Sequence, residues 1–424
     1  MKILFSVGEL EKDFNANTKI VLQTAEKLVS YGHSCIICGV CSAFSVSEIT
    51  SEGVHIKRLP AVSPVVKSSE KFESFVAVSQ DRNSARGQFI KKHPFASVFQ
   101  FARYTAFYRA KIEQPRYLKQ VQRLIKKYAP DAVVCVTKPV NSLETVINSN
   151  ITVPMFIWQL DPWGLHHLDN PGETADIIAR ETQAFAKAKH IFTTPVLLQQ
   201  YIQHDAYKKF TGKITAVEFP NIREYTEVAG KSAVNFDSSY INLLFSGIVS
   251  DEYRSPQHLL ASLSPLFDTG EKIRIYFMGT HNSAVLEKYR EMYPDNIINV
   301  EKVNMDTAFA TMNAADVLVN ISNTVDNQVP SKIFDYFSMG KPVLNVQKIP
   351  DCPAQPYFDR YPLRFTLDER ETSDLEKLKQ FLYDSPNARL DYSQVEQIYS
   401  GATVETVASQ LADVISADIT KGDR

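Results

Sequence analysis

Two cations that follow the ends of predicted strands are the side chains best suited to chemistry in this sequence. Arg254 follows an apolar strand that ends at Ser246 and Gly247, and Lys332 follows a second strand and a polar loop. Ligands of open α/β sheets bind at the carboxyl ends of strands, where a guanidinium or an ammonium can bind phosphate oxygens. The pattern therefore predicts an anion site, although each cation alone could be a solvated loop residue.

A short helix is predicted to begin beside Lys332 and to strengthen this site. Pro330 and Ser331 precede its apolar positions, and Gly340 with a following proline ends it. We expect the Ser331 hydroxyl to cap the helix by accepting a hydrogen bond from an N–H of the first turn. Free N–H groups and the positive end of the helix dipole would then face the same anion as Lys332.

The first half of the chain offers a carboxylate at a comparable position. Asp161 follows the predicted strand 155–160 and stands between Trp158 and Trp163. At a strand end it could bind hydroxyl groups of a sugar or an acceptor, or act as a general base in catalysis. The alternative is structural: Asp161 caps the turn before Pro162, and the two indole rings fill the core.

Four further residues are candidates at the same edge of this first sheet. His166 and His167 come shortly after Asp161, and an imidazole there could contact an acceptor or a sugar. Glu9 and Asn17 border the loop that follows the first predicted strand. Since that loop also leaves the carboxyl end of a strand, both residues are candidates for the same ligand.

The sequence lacks the usual motifs for metal-dependent or dinucleotide chemistry. Neither GxGxxG nor GxxxxGKS/T occurs, and no DxD pair is present to hold Mg²⁺ against a diphosphate. Three cysteines and His33 spell HxCxxCxxC, but 34–40 reads as a buried strand that directs Cys35 and Cys38 to opposite faces. We therefore expect no metal, no other cofactor and free thiols.

Strands and helices alternate through both halves of the chain and would position these residues. A strand at 2–7, a helix at 18–30 and a strand at 34–40 form a βαβ unit, whose strands are parallel. Later strands are expected near 132–136, 155–160, 191–194, 241–245, 273–278, 300, 317–321, 343–346 and 365–367. The polar segment 222–239 reads as a linker. The expected fold class is α/β, with one parallel sheet in each half.

Bulk properties limit the classes of protein to which this chain could belong. Its 424 residues are too many for one ordinary core, so two domains are expected. A net charge of −2 excludes a protein that binds charged polymers through an excess of one charge along its whole length. No apolar run reaches the roughly 18 residues of a membrane-spanning helix, and the N-terminus reads as a strand rather than a signal peptide. A cytoplasmic location is the resulting expectation.

The segment 82–127 departs from this neutral balance. It contains twelve basic residues and one acid, Glu113, for a net charge of +11. Aromatic residues are interleaved with the cations. One interpretation is a surface for anionic lipid headgroups or a lipid diphosphate, where each basic residue contributes about 1 kcal/mol. The other is a solvated helical face whose aromatics pack inward. Nucleic acid is not expected, because no nucleic-acid-binding motif accompanies the segment.

The second half of the chain resembles the donor domain of GT-B glycosyltransferases. The resemblance is to the retaining, family-four-type enzymes of bacterial polysaccharide and glycoconjugate biosynthesis. The matching text is INLLFSG, IRIYFMG, MNAADVLVNISN and, most specifically, VPSKIFDYFSMGKPVLNV at 329–346. The N-terminal text MKILFSV resembles the first βαβ unit of the acceptor domain less closely. FPNIR at 219–223 resembles the segment that enters the linker between the domains.

The resemblance implies an architecture of two Rossmann-like domains that face each other across a cleft. Residues 1–222 would form the acceptor domain and residues 223–395 the nucleotide-sugar donor domain. Residues 396–424 would form a final helix that crosses back to the first domain.

The resemblance also implies roles for individual residues. Arg254, Ser331 and Lys332 would bind the donor diphosphate. The family carries two glutamates separated by seven residues, and Asp335 occupies the place of the second, which binds the ribose hydroxyls. Asn327 stands where the first glutamate is expected, near the donor sugar. The missing charge at Asn327 leaves the sugar and the detailed chemistry open.

The implied function is a hexosyltransferase type of glycosyltransferase. It would move a sugar from a nucleotide diphosphate, a UDP-sugar, to a glycan or lipid-linked acceptor, with retention and without a metal. Its alternatives are a sugar-nucleotide epimerase of the same shape and a non-catalytic nucleotide-sugar or glycan-binding partner protein. A peripheral position at the inner face of a membrane would follow if 82–127 binds anionic lipid.

Overall fold

The computed structural model describes residues 1–10, 16–41, 47–60, 114–137, 141–165, 171–225 and 230–422. Its packing divides the chain into two compact units. Unit 1 comprises Met1–Glu218 with Glu405–Arg424, and unit 2 comprises Phe219–Val404. The domain boundaries at 222 and 395 lie near these divisions and stay predictions. His166 and His167 lie outside the described residues, as does the part of the basic segment before 114.

Unit 1 is built on one sheet of eight strands in the order β3-β4-β2-β1-β5-β6-β7-β8, parallel except for the β3–β4 pair. The strands are β1 Lys2–Glu9, β2 Ser34–Cys41, β3 Ser47–Ser51, β4 Val54–Pro60, β5 Ala132–Thr137, β6 Met155–Gln159, β7 His190–Thr193 and β8 Ile214–Ala216. Its first helices are α1 Ala16–Ser30, α2 Gln114–Tyr128, α3 Asn141–Asn148, α4 Pro171–Lys187 and α5 Pro195–Gln203. Every residue of β5 and β6 is buried, as expected for central strands with both faces covered.

Unit 2 is built on six parallel strands in the order β11-β10-β9-β12-β13-β14. They are β9 Ile241–Ser250, β10 Ile273–Asn282, β11 Ile297–Val300, β12 Val317–Ile321, β13 Val343–Gln347 and β14 Arg364–Asp368. Its helices are α6 Gln257–Asp268, α7 Ala284–Met292, α8 Met305–Ala314, α9 Lys332–Ser338, α10 Gln355–Arg360, α11 Leu375–Asp384 and α12 Tyr392–Ile398. The strand order reverses between β9 and β12, where ligands of doubly wound sheets bind.

Strands β9 and β10 continue beyond the ends predicted at 245 and 278. They pair in parallel as far as Ser250 and Asn282, whereas β12 pairs with β9 only through residues 317–319. Gly247 and Gly279 face each other where this two-stranded ribbon begins. A Cβ at Gly279 would lie 2.0 Å from the Gly247 carbonyl oxygen, so only glycine fits. The glycines that suggested strand ends instead allow close approach of two backbones.

The final helix, α13 Val404–Gly422, belongs almost entirely to unit 1. Val407, Leu411 and Ile415 are buried along one face at helical spacing. Its N-terminal end pairs with α1 through the Lys27–Glu405 ion pair, with 2.6 Å between nitrogen and oxygen. The helix is longer than the predicted 404–415.

The predicted α/β class is confirmed, with a largely parallel sheet in each unit. All five cysteines are free thiols, as the sequence suggested. Three strands of low or mixed hydrophobicity, β3, β4 and β8, were not predicted. No helix in the described part of the chain is both long and apolar enough to cross a membrane.

Candidate functional site

Lys332 lies at the first residue of α9 and reaches across to Ser246 of β9, one residue beyond the pairing of β9 with β12. Its Nζ donates to the Ser246 carbonyl oxygen at 2.7 Å and lies 3.3 Å from the Ser246 hydroxyl. The Tyr336 hydroxyl donates to the same carbonyl at 3.3 Å. Burial lowers the pKa of Lys332 to about 8, opposed by the nearby Asp335 carboxylate and reinforced by the Arg254 charge. Hydrogen bonds therefore hold the Lys332 ammonium in place, while the Asp335 carboxylate only partly offsets the cost of burying its charge.

Arg254 follows β9 in the chain and turns back toward the last residue of that strand, Ser250. Its backbone N–H donates to the Ser250 carbonyl at 2.9 Å, which closes a tight loop. Its Nε donates to the Asn323 side-chain oxygen at 2.7 Å, just beyond the end of β12. Burial lowers the pKa of the guanidinium, which stays charged at neutral pH. One side chain thus bridges the two strand ends on either side of the switch point.

The two cations converge on adjacent residues of β9. Lys332 contacts Ser246, and Arg254 Nη1 lies 3.8 Å from the position of a Cβ on Gly247. Their mutual repulsion contributes to the low Lys332 pKa. A bound anion would offset this repulsion and favour the charged form of both groups. The structure therefore brings together Arg254 and Lys332, two of the three residues assigned to the diphosphate.

The third residue, Ser331, does not cap the helix as predicted. Its φ of −58° and ψ of −22° are helical, and its side chain makes no capping hydrogen bond. A capping hydroxyl needs an extended backbone to reach the free N–H groups. Here the Phe334 N–H bonds to the Ser331 carbonyl at 3.2 Å, as a residue already inside a tight turn allows. That prediction was wrong.

Asp335 takes part in a hydrogen-bonded network that the sequence did not reveal. The Tyr225 hydroxyl donates to Asp335 Oδ1 at 2.9 Å, and Arg223 Nη2 lies 3.8 Å from the same oxygen. Both partners come from the segment that was interpreted as a linker. An arginine and a tyrosine at the start of that polar stretch were the available signal. Asn327 is 4% exposed, so its amide is packed inside the loop before α9.

In unit 1 the structure brings two candidates together. The Asn17 amide nitrogen donates to Asp161 Oδ2 at 2.7 Å, which links the first turn of α1 to the turn after β6. Trp158 is fully buried and Trp163 packs against the hydrophobic core, so the indole rings fill core as the structural alternative proposed. Glu9 ends β1.

A buried glutamate below the Asp161 turn was missed from the sequence. Glu181 on α4 is fully buried and accepts hydrogen bonds from the Gln159 amide, the Gly164 N–H at 3.0 Å, the Tyr201 hydroxyl at 3.3 Å and the Tyr207 hydroxyl. Burial raises the pKa of its carboxyl group, and the hydrogen bonds oppose that rise. A glutamate within an amphipathic helix gives no sequence signal of such a role. The cluster ties the turn to three other segments.

Comparison with known proteins identifies the fold. No known family profile matches the sequence, and no curated protein sequence matches it. Sucrose-phosphate synthase from Thermosynechococcus elongatus is structurally similar, with a TM-score of 0.63 at 12% identity over 98% of each chain. The lipopolysaccharide outer core galactosyltransferase WaaB has a TM-score of 0.53 at 11% identity over 98% of this chain and 99% of that one. The UDP-GlcNAc 2-epimerase from Neisseria meningitidis bound to UDP-GlcNAc has a TM-score of 0.56 at 9% identity over 98% and 100%.

The chain therefore has the GT-B fold of glycosyltransferases, which confirms the predicted resemblance at the level of fold. This chain is only 9% to 13% identical to these three proteins and to a further glycosyltransferase, WaaG, so the similarity establishes the fold alone. The activity of the chain must be argued from its own side chains.

Proposed function

We propose that this protein is a glycosyltransferase that transfers a hexose from a UDP-sugar to a glycan or lipid-linked acceptor, with retention of anomeric configuration. The proposal rests on one observation: Lys332 and Arg254 converge on Ser246 and Gly247, just beyond the pairing of β9 with β12, at the switch point of unit 2. Two cations at such a point suit a diphosphate. Asp335, in the same short helix, is proposed to bind the ribose.

The proposed chemistry depends on charge that develops on the leaving group. Cleavage of the bond between the sugar and the phosphate leaves negative charge on the nucleoside diphosphate. Lys332 and Arg254 are already held by Ser246 and Asn323, so they stabilise that charge without reorganising. In the retaining reaction the leaving phosphate takes the acceptor proton, and no protein base is required. No metal is part of this proposal.

Asp161 is proposed to bind hydroxyl groups of the acceptor or the sugar. Its carboxylate accepts from the Asn17 amide, which fixes one oxygen and orients the other. If the reaction inverts configuration instead, Asp161 is the proposed general base. His166 and His167 stay candidates for contact with the acceptor or the sugar, and Asn327 for the donor sugar.

Calorimetry with UDP tests the donor site. We expect the Lys332→Ala and Arg254→Ala double variant to bind UDP at least about 100-fold more weakly, because each charged hydrogen bond contributes about 1.5–3 kcal/mol. Lys288→Ala is the matched control, since Lys288 is an exposed lysine on α7 of the same unit. Unchanged UDP affinity in the double variant would exclude the assigned site.

A sugar-nucleotide epimerase is the second candidate, favoured by the structural likeness to the UDP-GlcNAc 2-epimerase. Such an enzyme would use the same donor site and need no acceptor. Incubation with UDP-GlcNAc alone separates the two proposals. A change in the sugar of the recovered nucleotide sugar supports the epimerase, whereas UDP release that depends on an added acceptor supports the transferase. Retained UDP binding without either product would support a non-catalytic binding protein.

Helix α2 supplies support for a membrane partner. Tyr117, Val121 and Leu124 are buried on one face, so the aromatic at 117 packs inward, as the alternative of a solvated helical face expected. The opposite face carries five exposed cations, and the helix contains no acid. They are Arg116, Lys119, Arg123, Lys126 and Lys127. Among the residues that the structure describes, none of the five makes an ion pair. This stripe is proposed to contact anionic lipid at the cytoplasmic face of a membrane.

Vesicle binding tests the membrane proposal. We expect the protein to sediment with vesicles rich in phosphatidylglycerol at low salt and to dissociate at high salt. Replacement of Arg116, Lys119 and Arg123 by glutamine should weaken this binding, by about 1 kcal/mol for each cation removed. Binding that resists salt, or that survives the triple substitution unchanged, would contradict an electrostatic lipid contact.

A further inference from the structure

Three side chains of unit 2 form a hydrogen-bonded chain that ends on Asp335. Arg223 Nε donates to the Tyr225 hydroxyl oxygen at 2.9 Å, and the Tyr225 hydroxyl donates to Asp335 Oδ1 at 2.9 Å. Each hydroxyl oxygen can accept from one group while it donates to another. The arginine therefore fixes the direction in which the tyrosine donates, and the tyrosine occupies one acceptor position of the carboxylate.

Packing holds the chain in this arrangement. The Tyr225 and Phe309 rings lie 5.1 Å apart between centroids. The Arg223 guanidinium lies 4.7 Å from the Tyr225 ring centroid and 5.2 Å from that of Phe309. Contacts of a cation with two aromatic rings add to the hydrogen bonds. Burial raises the pKa of Tyr225 far above neutrality, so its hydroxyl keeps the proton that it donates.

The position of Asp335 limits the groups that it can recognise. It lies one turn after Lys332, and residues three apart on a helix are neighbours. Its charge acts on the Lys332 ammonium. A carboxylate repels phosphate but accepts hydrogen bonds from hydroxyl groups. A ligand whose phosphate is bound by Lys332 can therefore engage Asp335 only through hydroxyl donors, which a ribose supplies.

We propose that Tyr225 is a specificity-determining residue, because its hydrogen bond to Asp335 Oδ1 sets the direction in which this carboxylate accepts the ribose hydroxyls of a nucleoside diphosphate. Arg223 acts through Tyr225 as a positioning residue. The inference rests on the proposed function, because it assumes that unit 2 binds a nucleotide. It goes further by assigning recognition of the ribose to a pair of residues rather than to Asp335 alone.

Removal of the tyrosine hydroxyl should release the arginine toward the carboxylate. In Tyr225→Phe the Arg223 guanidinium loses its acceptor, while Asp335 Oδ1 stands only 3.8 Å from Arg223 Nη2. A small rotation shortens this existing ion pair to hydrogen-bond distance. The ribose hydroxyls must then compete with a cation for the carboxylate. The Tyr225 hydroxyl therefore both orients the Asp335 carboxylate and keeps the Arg223 charge from competing with the ribose hydroxyls.

Calorimetry with three probes separates the contributions of ribose and phosphate. The probes are UDP, 2′-deoxy-UDP and inorganic pyrophosphate, which lacks a ribose. We expect Tyr225→Phe to weaken UDP about tenfold, to leave pyrophosphate unchanged and to reduce the preference for UDP over 2′-deoxy-UDP. The matched control is Tyr240→Phe, since no hydrogen bond of the Tyr240 hydroxyl is present among the described residues. It should change none of the three affinities.

A second variant distinguishes this role from simple loss of packing. Addition of Arg223→Gln to Tyr225→Phe removes the competing cation, so UDP affinity should recover in part. Unchanged UDP binding by Tyr225→Phe, or an equal loss for pyrophosphate, would overturn the inference. Further loss on adding Arg223→Gln would also overturn it. Failure of the wild-type protein to bind UDP would instead refute the proposed function, and with it this assignment.

Discussion

In unit 2, Lys332 and Arg254 bring two cations to the point where β9 parts from β12, whereas in unit 1 the ends of β5, β6 and β7 carry Thr137, Gln159 and Thr193. The three uncharged residues of unit 1 are neighbours in register and are buried. Gln159 also donates to a buried glutamate, Glu181, which accepts hydrogen bonds from four groups. The strand ends of unit 2 therefore carry an incompletely compensated cationic site, and those of unit 1 carry buried uncharged side chains beside a hydrogen-bonded glutamate.

The difference shows that the strand ends determine where a polar site lies, whereas the side chains that reach them determine what the site can bind. In unit 2 the charged side chains come from a helix start and a loop outside the sheet, so they remain able to bind a ligand. In unit 1 the acid comes from the middle of α4, and its hydrogen bonds are used to hold the turn that carries Asp161. Four predictions test this contrast.

The largest losses of unfolding free energy should come from substitution of two closely packed glycines, Gly279 in unit 2 and Gly164 in unit 1. An alanine at Gly279 would place Cβ 2.0 Å from a backbone oxygen at a φ of +139°, and one at Gly164 would place it 2.2 Å from the Tyr207 hydroxyl. We expect Gly279→Ala to cost more than about 4 kcal/mol of unfolding free energy, because a backbone cannot yield. Gly164→Ala should cost less, since side-chain ends can shift.

Chemical denaturation measures both glycine substitutions. Gly212→Ala is the control, because its Cβ would meet nothing within 4 Å. It should stay within about 0.5 kcal/mol of the wild type. Equal losses at Gly279 and Gly212 would show that the two strands do not approach as described.

The next prediction compares the charged groups of the two units. Lys332→Met should weaken UDP binding by about 10–100-fold, the range for one hydrogen bond to a charged group. Asp161→Asn should change it less than about twofold, since the acid of unit 1 is assigned to the acceptor or the sugar rather than to the nucleotide. Calorimetry measures both. A comparable loss in Asp161→Asn would contradict the assignment of nucleotide binding to unit 2 alone.

The pH dependence of UDP binding follows from the Lys332 pKa of about 8. An anion prefers the protonated lysine, so affinity should be full near pH 7 and fall as pH rises through 8 to 9. The fall should approach about tenfold for each pH unit. The second phosphate pKa is about 6, so the ligand charge is constant in this range. Lys332→Arg should remove the dependence, and a flat wild-type profile would contradict the lowered pKa.

The smallest effect concerns Glu181. Burial raises its folded-state pKa above the ordinary 4.5, so the folded state holds the proton more tightly. Its contribution to stability is therefore complete below pH 4.5 and is lost as pH rises through the folded-state pKa. Glu181→Gln should flatten this part of the stability profile.

The two tryptophans of the chain make this last measurement specific. Trp158 and Trp163 both lie in unit 1, beside the Glu181 cluster, so unfolding followed by tryptophan fluorescence reports on that unit. A Glu181→Gln profile that keeps the slope of the wild type would assign the pH dependence to other groups.

Local patterns were enough for much of the fold and for part of the site. Apolar runs such as 132–136 and 317–321 predicted strands within one residue of their observed ends, because buried parallel strands need continuous hydrophobicity. The strand β3, with its central residues exposed, lacked that signal. Arg254 and Lys332 were found because each directly follows a predicted strand or loop.

The features that sequence reasoning missed depend on contacts between distant residues. Tyr225 and Asp335 are 110 residues apart, and no periodicity relates them. Glu181 resembles any polar helix residue until four donors from separate segments surround it. The Ser331 prediction failed for a related reason, since the same residue types occur just outside and just inside a first helical turn.

The position of helix α13 in the chain affects the order in which the two units can finish folding during synthesis on the ribosome. Its buried face belongs to unit 1, yet it comes after all of unit 2 in the chain. Domains generally fold as units and in the order of their synthesis. Here the residues that α13 covers, and the Lys27 partner of Glu405, wait until the whole of unit 2 has emerged. The first unit to begin folding is therefore the last to be finished, and a nascent chain that stalls within unit 2 leaves that apolar face uncovered.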